Sequence, residues 1–277
     1  MIMELCIVHA NCQGEPLVER LMACPEFAAR YECLVYTNYI REPIPDERLK
    51  QCSLFLYQHL GKDWDDLGSD ILLEKLPKTA ESLSVPSMFF KGYWPLWNGK
   101  SGFDYRCSHL DSLIDKGLPP EETIVLFLHS NVAAWYDLPA LMEKTVEIEY
   151  SRELRTPIKY VDVLLENHTR QPLFNTINHP GSMLMNHVSK EILTNLGYTP
   201  PTDAELDRIK EPFPEFEQPI NPKIAQFFGW EFGDAETQYN IYGRKMTFAR
   251  YVANYVVARR AGVTDFIGFL QGNNIAI

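Results

Sequence analysis

Apolar positions in the first ninety residues come in short runs separated by longer stretches of mixed polarity. ELCIVH (4–9), ECLVYT (32–37), SLFLY (53–57) and VPSMFF (85–90) are each the length of one strand. Between them, residues 15–23, 45–51 and about 68–76 have helical character. In the first of these, Leu17, Val18, Leu21 and Met22 form one apolar stripe. Pro16 suits the first helical turn, where its missing N–H would be unpaired in any case. Short apolar runs alternating with helices predict βαβ units and a parallel sheet.

After Phe90 the pattern changes. KGYWPLWNGKSGFDY (91–105) is rich in glycine and aromatics, has no period and reads as a loop. Residues 105–116 read as helical. In PPEETIVLFL (119–128) the paired prolines and two glutamates favour a helix start, although TIVLFL alone would suit a strand. Helices are expected over 138–155 and 157–168, separated at Pro157. A short strand runs into a turn over 172–181. An amphipathic helix follows over 182–196, with Gly197 as its stop. The acidic, proline-rich stretch 199–222 reads as an extended surface crossing, and 245–260 as a long closing helix. The expected architecture is one α/β domain, a Rossmann-like parallel sheet flanked by helices. Its core spans about 1–118 and 171–198, with a helical insertion over about 119–170 and a helical C-terminal extension over about 199–277.

Composition narrows the function. The chain has 277 residues, 45% of them hydrophobic, enough for a proper core. Its formal net charge of −11 disfavours nucleic acid, because neutralising phosphates needs Lys and Arg. No run is long and apolar enough for a transmembrane helix, and Glu4 interrupts the first apolar run, so a cytoplasmic protein without a signal peptide is expected. The six cysteines form no CxxC pair and no zinc-like cluster, so no metal is expected. Cys6, Cys33 and Cys52 read as reduced, buried thiols. Cys12 differs because it lies in a turn.

Three polar strand ends carry the candidate chemistry. The first is Asn11-Cys12-Gln13, between the first strand and the first helix. Backbone N–H groups there, with the helix dipole, can hold an anion or oxyanion and would favour a thiolate. The second is Asn178-His179-Pro180, where Pro180 restrains His179 to an extended backbone and so aims a general base. The third is Gln58-His59, at the end of another strand, where Gln58 can donate to an oxyanion or a sugar hydroxyl. Ligands of open parallel sheets bind beyond the carboxyl ends of the strands, so all three should share one rim. A basic stretch offers phosphate contacts: Arg152, Arg155 and Lys159, with Lys91 near the loop. Gly92 lies in that loop, and Tyr93 or Trp94 is a candidate to stack on adenine.

Asn11-Cys12-Gln13 with Leu17 and Leu21, then Gln58, Gly92-Tyr93 and Pro95, Arg152-Glu153, Leu173-Phe174, Thr176 and Asn178-His179-Pro180 together resemble the WcbI family of capsular-polysaccharide biosynthesis. The resemblance runs from about residue 4 to 197. Ala10 stands where a glycine is expected before the triplet. The topology is also similar to that of SGNH hydrolases, with Cys12 at the serine position and His179 at the histidine position. The usual aspartate before that histidine is missing: those positions are Thr176 and Ile177. The resemblance implies a coenzyme A-dependent acetyltransferase, with acetyl-CoA as co-substrate and a sugar or polysaccharide precursor as acceptor. His179 would deprotonate the acceptor hydroxyl. The N–H groups of Cys12 and Gln13, with Gln58, would hold the oxyanion, and Asn11, His59 and Asn178 would line the site. Transfer can be direct or pass through an acyl group on Cys12. The alternatives are an esterase or thioesterase and a CoA- or nucleotide-binding module without chemistry.

Overall fold

The protein is described here by a computed structural model covering residues 3–272. It divides into two compact units. The first comprises the chain up to Phe89, Glu147–Glu166 and Asn178–Pro212. The second comprises Phe90–Val146, Asn167–Ile177 and the chain from Phe213 on. This division departs from the expected one of core, insertion and extension, because both units draw on all three.

The first unit is built on a four-stranded parallel sheet, as the alternation predicts. Its strands are β1 (Glu4–Ala10), β2 (Tyr31–Thr37), β3 (Cys52–Gln58) and β4 (Glu81–Val85), in the order β2-β1-β3-β4. The connecting helices are α1 (Gly14–Leu21), α2 (Pro25–Arg30), α3 (Asp46–Gln51) and α4 (Ser69–Glu74). β1 is interior and covered on both faces, which explains its unbroken apolar run. Ile7 joins Ile44, Leu49, Phe55 and Leu72 on one side. On the other, α1 packs with the helix Ser182–Asn195 and buries Leu17, Leu21, Leu184, Val188 and Ile192. Each such side chain contributes about 1.5–3 kcal/mol. Gly14 permits the close start of α1: a Cβ there would sit 2.9 Å from Val35 Cγ1 and 3.2 Å from Ala10 Cβ.

The fourth strand lies earlier than VPSMFF suggests. It ends at Val85, because Pro86 has no N–H for a sheet ladder. The chain beyond it is held by side-chain amides instead, as described below. α2 was not legible in its six residues. The second helix of the 138–168 region begins only at Val161. Glu153 Oε1 accepts the N–H groups of Tyr160 (2.6 Å) and Val161 (2.8 Å), and so caps it. The stretch 199–222 is less extended than expected. Thr202 and Glu205 form a capping box for Asp203–Leu206, and Leu206, Phe216 and Ile220 are buried.

The second unit is mainly helical. Ser108–Ile114, Pro120–His129 and Phe248–Arg260 pack together, so 119–128 resolves as helix. The closing helix starts at Phe248 rather than 245, since Arg244–Met246 pairs antiparallel with Tyr239–Ile241. Asp111 ties two of the helices, accepting from Tyr255 Oη at 2.9 Å and from Arg259 Nε at 3.2 Å. No helix among the described residues is long and apolar enough to cross a membrane.

Candidate active site at the end of the parallel sheet

β1 delivers Asn11-Cys12-Gln13 to the carboxyl end of the sheet. The turn is organised by its own amides. Asn11 Oδ1 accepts the N–H of Gln13 at 2.9 Å, and Asn11 O accepts that of Gly14 at 3.0 Å. Gln13 then precedes α1 with a helical backbone, φ −75° and ψ −13°. Its side chain turns inward and is buried. Nε2 donates to Met88 O at 2.7 Å and to Asn178 O at 3.0 Å, while Oε1 accepts from Met88 N at 3.2 Å. One glutamine thus joins the turn, the segment after β4 and the segment before His179.

Gln58 sits beside it at the end of β3 and is equally buried. Its Oε1 accepts from Asn11 N at 2.8 Å. Its Nε2 donates to Pro86 O at 3.0 Å and lies 3.3 Å from both Asn11 Oδ1 and Gln13 Oε1. The expected role of Gln58 as an oxyanion donor does not fit this geometry, because its N–H groups already face protein oxygens. Gln58 is a positioning residue. The Gln13 N–H is likewise shared with Asn11 Oδ1.

Cys12 is half-buried, with Asn178 against it: Asn178 Nδ2 donates to Sγ at 3.5 Å, and Sγ lies 3.9 Å from Asn178 O. Burial pushes the Cys12 thiol up to about 11, although its own N–H, Asn178 and the Gln13 N–H pull the other way. The thiol is therefore protonated at neutral pH, contrary to what the helix start suggests. His179 is next to Asn178 in the chain and half-buried. Burial lowers it to about 4, so its imidazole is neutral at pH 7. His59 lies just past β3 and is exposed.

Arg20 is a residue that sequence reading missed. It lies on α1 and is fully buried. Its guanidinium donates to Asn186 Oδ1 (2.7 Å), Pro16 O (3.1 Å), Ser182 Oγ (3.2 Å) and Lys210 O (3.3 Å). It locks α1 to the helix that follows His179. An arginine on a polar helix face reads as solvated, and its partners lie more than 160 residues away in three of the four bonds.

The basic stretch separates into two kinds of residue. Arg152 pairs with buried Glu149, donates to Phe89 O at 3.2 Å and lies over the Phe89 ring. Glu149 also accepts from Tyr160 Oη (2.8 Å) and Phe89 N (3.0 Å). Arg152 is therefore committed to structure, whereas Arg155 is exposed. Lys159 Nζ donates to the carbonyls of Glu153 and Thr156.

Lys91, Gly92, Tyr93 and Trp94 belong to the second unit. Tyr93 is fully buried. Phe90, Trp94, Trp230 and Phe232 all meet its ring edge-to-face, and its hydroxyl donates to the carbonyls of His168 and Gln171. Trp94 is buried too, and its Nε1 donates to Pro219 O at 3.1 Å. Both rings serve the core of that unit, which does not suit the expected adenine stacking. Gly92 is required by packing: a Cβ would fall 2.2 Å from the Phe90 ring. Lys91 is half-buried over Trp97, and burial together with the Lys144 charge lowers its pKa.

The family model for the polysaccharide biosynthesis enzyme WcbI matches residues 5–201, which include the Cys12 turn, Gln58 and Asn178-His179. No curated protein matches the chain. A solved structure of WcbI, described as a novel polysaccharide biosynthesis enzyme, superposes with a TM-score of 0.78 at 21% identity, covering 99% of this chain and 96% of that one. That structure is of the native protein without a disulfide bond between coenzyme A and a cysteine. The match over most of its length, through the turn, the amides and the histidine, makes this chain a member of the WcbI family of polysaccharide biosynthesis enzymes.

Proposed function

We propose that the chain transfers an acyl group, such as acetyl, from coenzyme A to a hydroxyl of a sugar or polysaccharide precursor. The observation that carries this reading is the setting of Cys12: a partly accessible, protonated thiol between the N–H groups of its turn and the Asn178 amide, with the neutral His179 next in the chain after Asn178. The pairing of coenzyme A with a cysteine named for the WcbI structure supports a thiol ligand here, and Cys12 is the partly exposed cysteine of the turn at the sheet's carboxyl end.

In this reading His179 accepts the proton of the acceptor hydroxyl, whose oxygen attacks the thioester carbonyl. On the same reading the Cys12 N–H and Asn178 Nδ2 serve as donors to the oxyanion, and a donor of that kind is worth about 3–4 kcal/mol in the transition state. The tetrahedral intermediate collapses with loss of the CoA thiolate, which takes up the proton from His179. A thiol held near 11 is a poor nucleophile, which favours direct transfer over an acyl-Cys12 intermediate. Arg155, exposed on the basic stretch, is the arginine assigned to a CoA phosphate, since the exposed Lys159 already donates to two backbone carbonyls.

The test is acetyl-CoA turnover with and without a panel of sugar acceptors. Thiol release that requires an acceptor, with an acetylated sugar recovered, is the expected outcome. Release at the same rate without acceptor would make the protein a hydrolase. Binding of CoA without release would make it a binding module.

A further inference from the structure

The second unit carries a polar cluster that the reading above does not use. His109 lies in the first turn of the helix Ser108–Ile114 and is 7% exposed. Its Nε2 lies 2.9 Å from Ser130 Oγ, and its Nδ1 lies 3.4 Å from Tyr136 Oη. Ser130 follows the helix Pro120–His129, and Tyr136 follows the short helix Val132–Trp135. Phe127, tilted at 5.6 Å, and Tyr136, edge-on at 5.5 Å, hold the imidazole ring between them. Burial, together with the Lys116 charge, lowers the His109 pKa, so the ring is neutral at pH 7. All of these residues belong to the second unit.

The cluster is not sealed in the core. His109, Ser130 and Tyr136 line a groove with about 640 Å³ of space, within the range of small-molecule sites. Ser130 and Tyr136 are half-buried. The apolar wall of the groove includes Val125, Leu126 and Trp135, which are 55%, 48% and 73% exposed. Grouped apolar side chains left open beside polar ones mark binding grooves. Lys116 lines the same groove.

A serine hydroxyl bound to a neutral imidazole, itself bound to a third group, is the arrangement of an activated nucleophile. With the ring proton on Nδ1, His109 donates to Tyr136 Oη, and Nε2 is free to accept the Ser130 proton. A phenol supports a developing imidazolium less than a carboxylate does, which favours esters with good leaving groups over amides. The apolar wall favours an uncharged acyl group over a phosphate or a polyol.

We propose that Ser130 and His109 form a second catalytic centre, a hydrolase for carboxylic esters with an apolar acyl group, in which Tyr136 positions the imidazole. Ser130 Oγ attacks the ester carbonyl as its proton passes to His109 Nε2. Lys116 supplies positive charge to the oxyanion. The alcohol leaves with that proton, and the acyl group stays on Ser130. Water then attacks the acyl group and gives a proton to His109. The carboxylic acid leaves as Ser130 takes that proton back. The centre shares no residue with the Cys12 turn, so it stands whether or not acyl transfer from coenzyme A does. The probes, both used on the whole protein, are p-nitrophenyl butyrate, followed by nitrophenolate release, and the organophosphate paraoxon, followed by peptide mass spectrometry. Saturable turnover of the ester and a diethylphosphoryl group on Ser130 are the expected results. Ser130→Ala and His109→Gln should each lower kcat by roughly 10²–10⁴-fold. Tyr136→Phe should lower kcat and leave KM unchanged. No turnover, undiminished turnover in folded Ser130→Ala, or the absence of a phosphoryl group from Ser130 would overturn the proposal. If the variants do not fold, paraoxon on the wild type decides: Ser130 must be the labelled residue.

Discussion

Gln58 Oε1 accepts the backbone N–H of Asn11 at 2.8 Å, so the end of one strand holds the turn that leaves its neighbour. The same amide donates to Pro86 O, where the chain has left the sheet. Gln58→Leu fills a similar volume but leaves the Asn11 N–H and the Pro86 carbonyl without this partner. Two buried groups lost in this way should cost about 2–4 kcal/mol, read as a lower denaturant midpoint. Activity should fall through loss of turn geometry. Wild-type stability in this variant would show the amide to be dispensable.

His179 is held near 4 by burial and is neutral across the neutral range. A base that must be neutral to accept a proton loses function as pH drops through its own pKa. The acid limb of kcat/KM should therefore fall near pH 4, with a flat profile from about 5 to 7. A limb centred near 6.5 would indicate a solvated base elsewhere. His179→Ala should lower turnover by roughly 10²–10⁴-fold with CoA affinity nearly unchanged.

Cys12 presents its thiol, not a thiolate, at neutral pH. With its pKa at about 11, alkylation by iodoacetamide should be slow at pH 7 and rise about tenfold per pH unit up to pH 10. Cys12→Ser keeps the backbone donors and should retain most activity. An acyl mass on the Cys12 peptide after incubation without acceptor, together with an inactive serine variant, would establish the two-step route and overturn direct transfer.

The two arginines of the basic stretch should separate cleanly. Arg152→Ala strips the partner from buried Glu149, whose carboxyl burial already raises. The cost should be about 1.5–3 kcal/mol of stability, below that of a fully buried pair because Arg152 is partly exposed. CoA affinity should change little. Arg155→Ala should leave stability intact and weaken CoA by about 1.5–3 kcal/mol. The weakening should shrink for dephospho-CoA if the contact is to the 3′-phosphate. Calorimetry and thermal melts on both variants decide the assignment.

The sheet was legible because an interior parallel strand must be apolar on both faces, and the interior strands β1 and β3 announce themselves that way, while the edge strand β2 shows through its own short apolar run. β4 was displaced because VPSMFF is equally apolar outside a sheet. Only Pro86 marks the exit, and the backbone after it is satisfied by two glutamines more than 25 residues away. The grouping of Cys12, Gln58 and Asn178 at one rim was readable from strand ends. Their division of labour was not, because whether an amide donates to a substrate or to a carbonyl depends on long-range neighbours. Arg152 and Arg155 look alike in SRELR, and the burial of Glu149 sets them apart.

His9, on β1 two residues before the turn, supplies a final prediction. It is fully buried, stacked 6.5 Å from the Phe55 ring, and neither ring nitrogen has a hydrogen-bond partner among the described residues. Burial lowers its pKa to about 4 from 6.5, with Glu42 opposing. The unfolded chain therefore binds more protons than the folded one between these values. Stability contributed by neutral His9 is complete above about 6.5 and is lost as pH falls toward 4, by roughly 3 kcal/mol at the acid end. His179 has the same sign and the carboxylates add their own dependence, so the quantity to measure is the difference between wild type and His9→Phe, which keeps a flat ring against Phe55. Urea unfolding from pH 7 to pH 4 should show the wild type losing stability relative to the variant throughout that window. Parallel curves would mean that His9 takes up a proton as readily in the folded protein as in the unfolded chain.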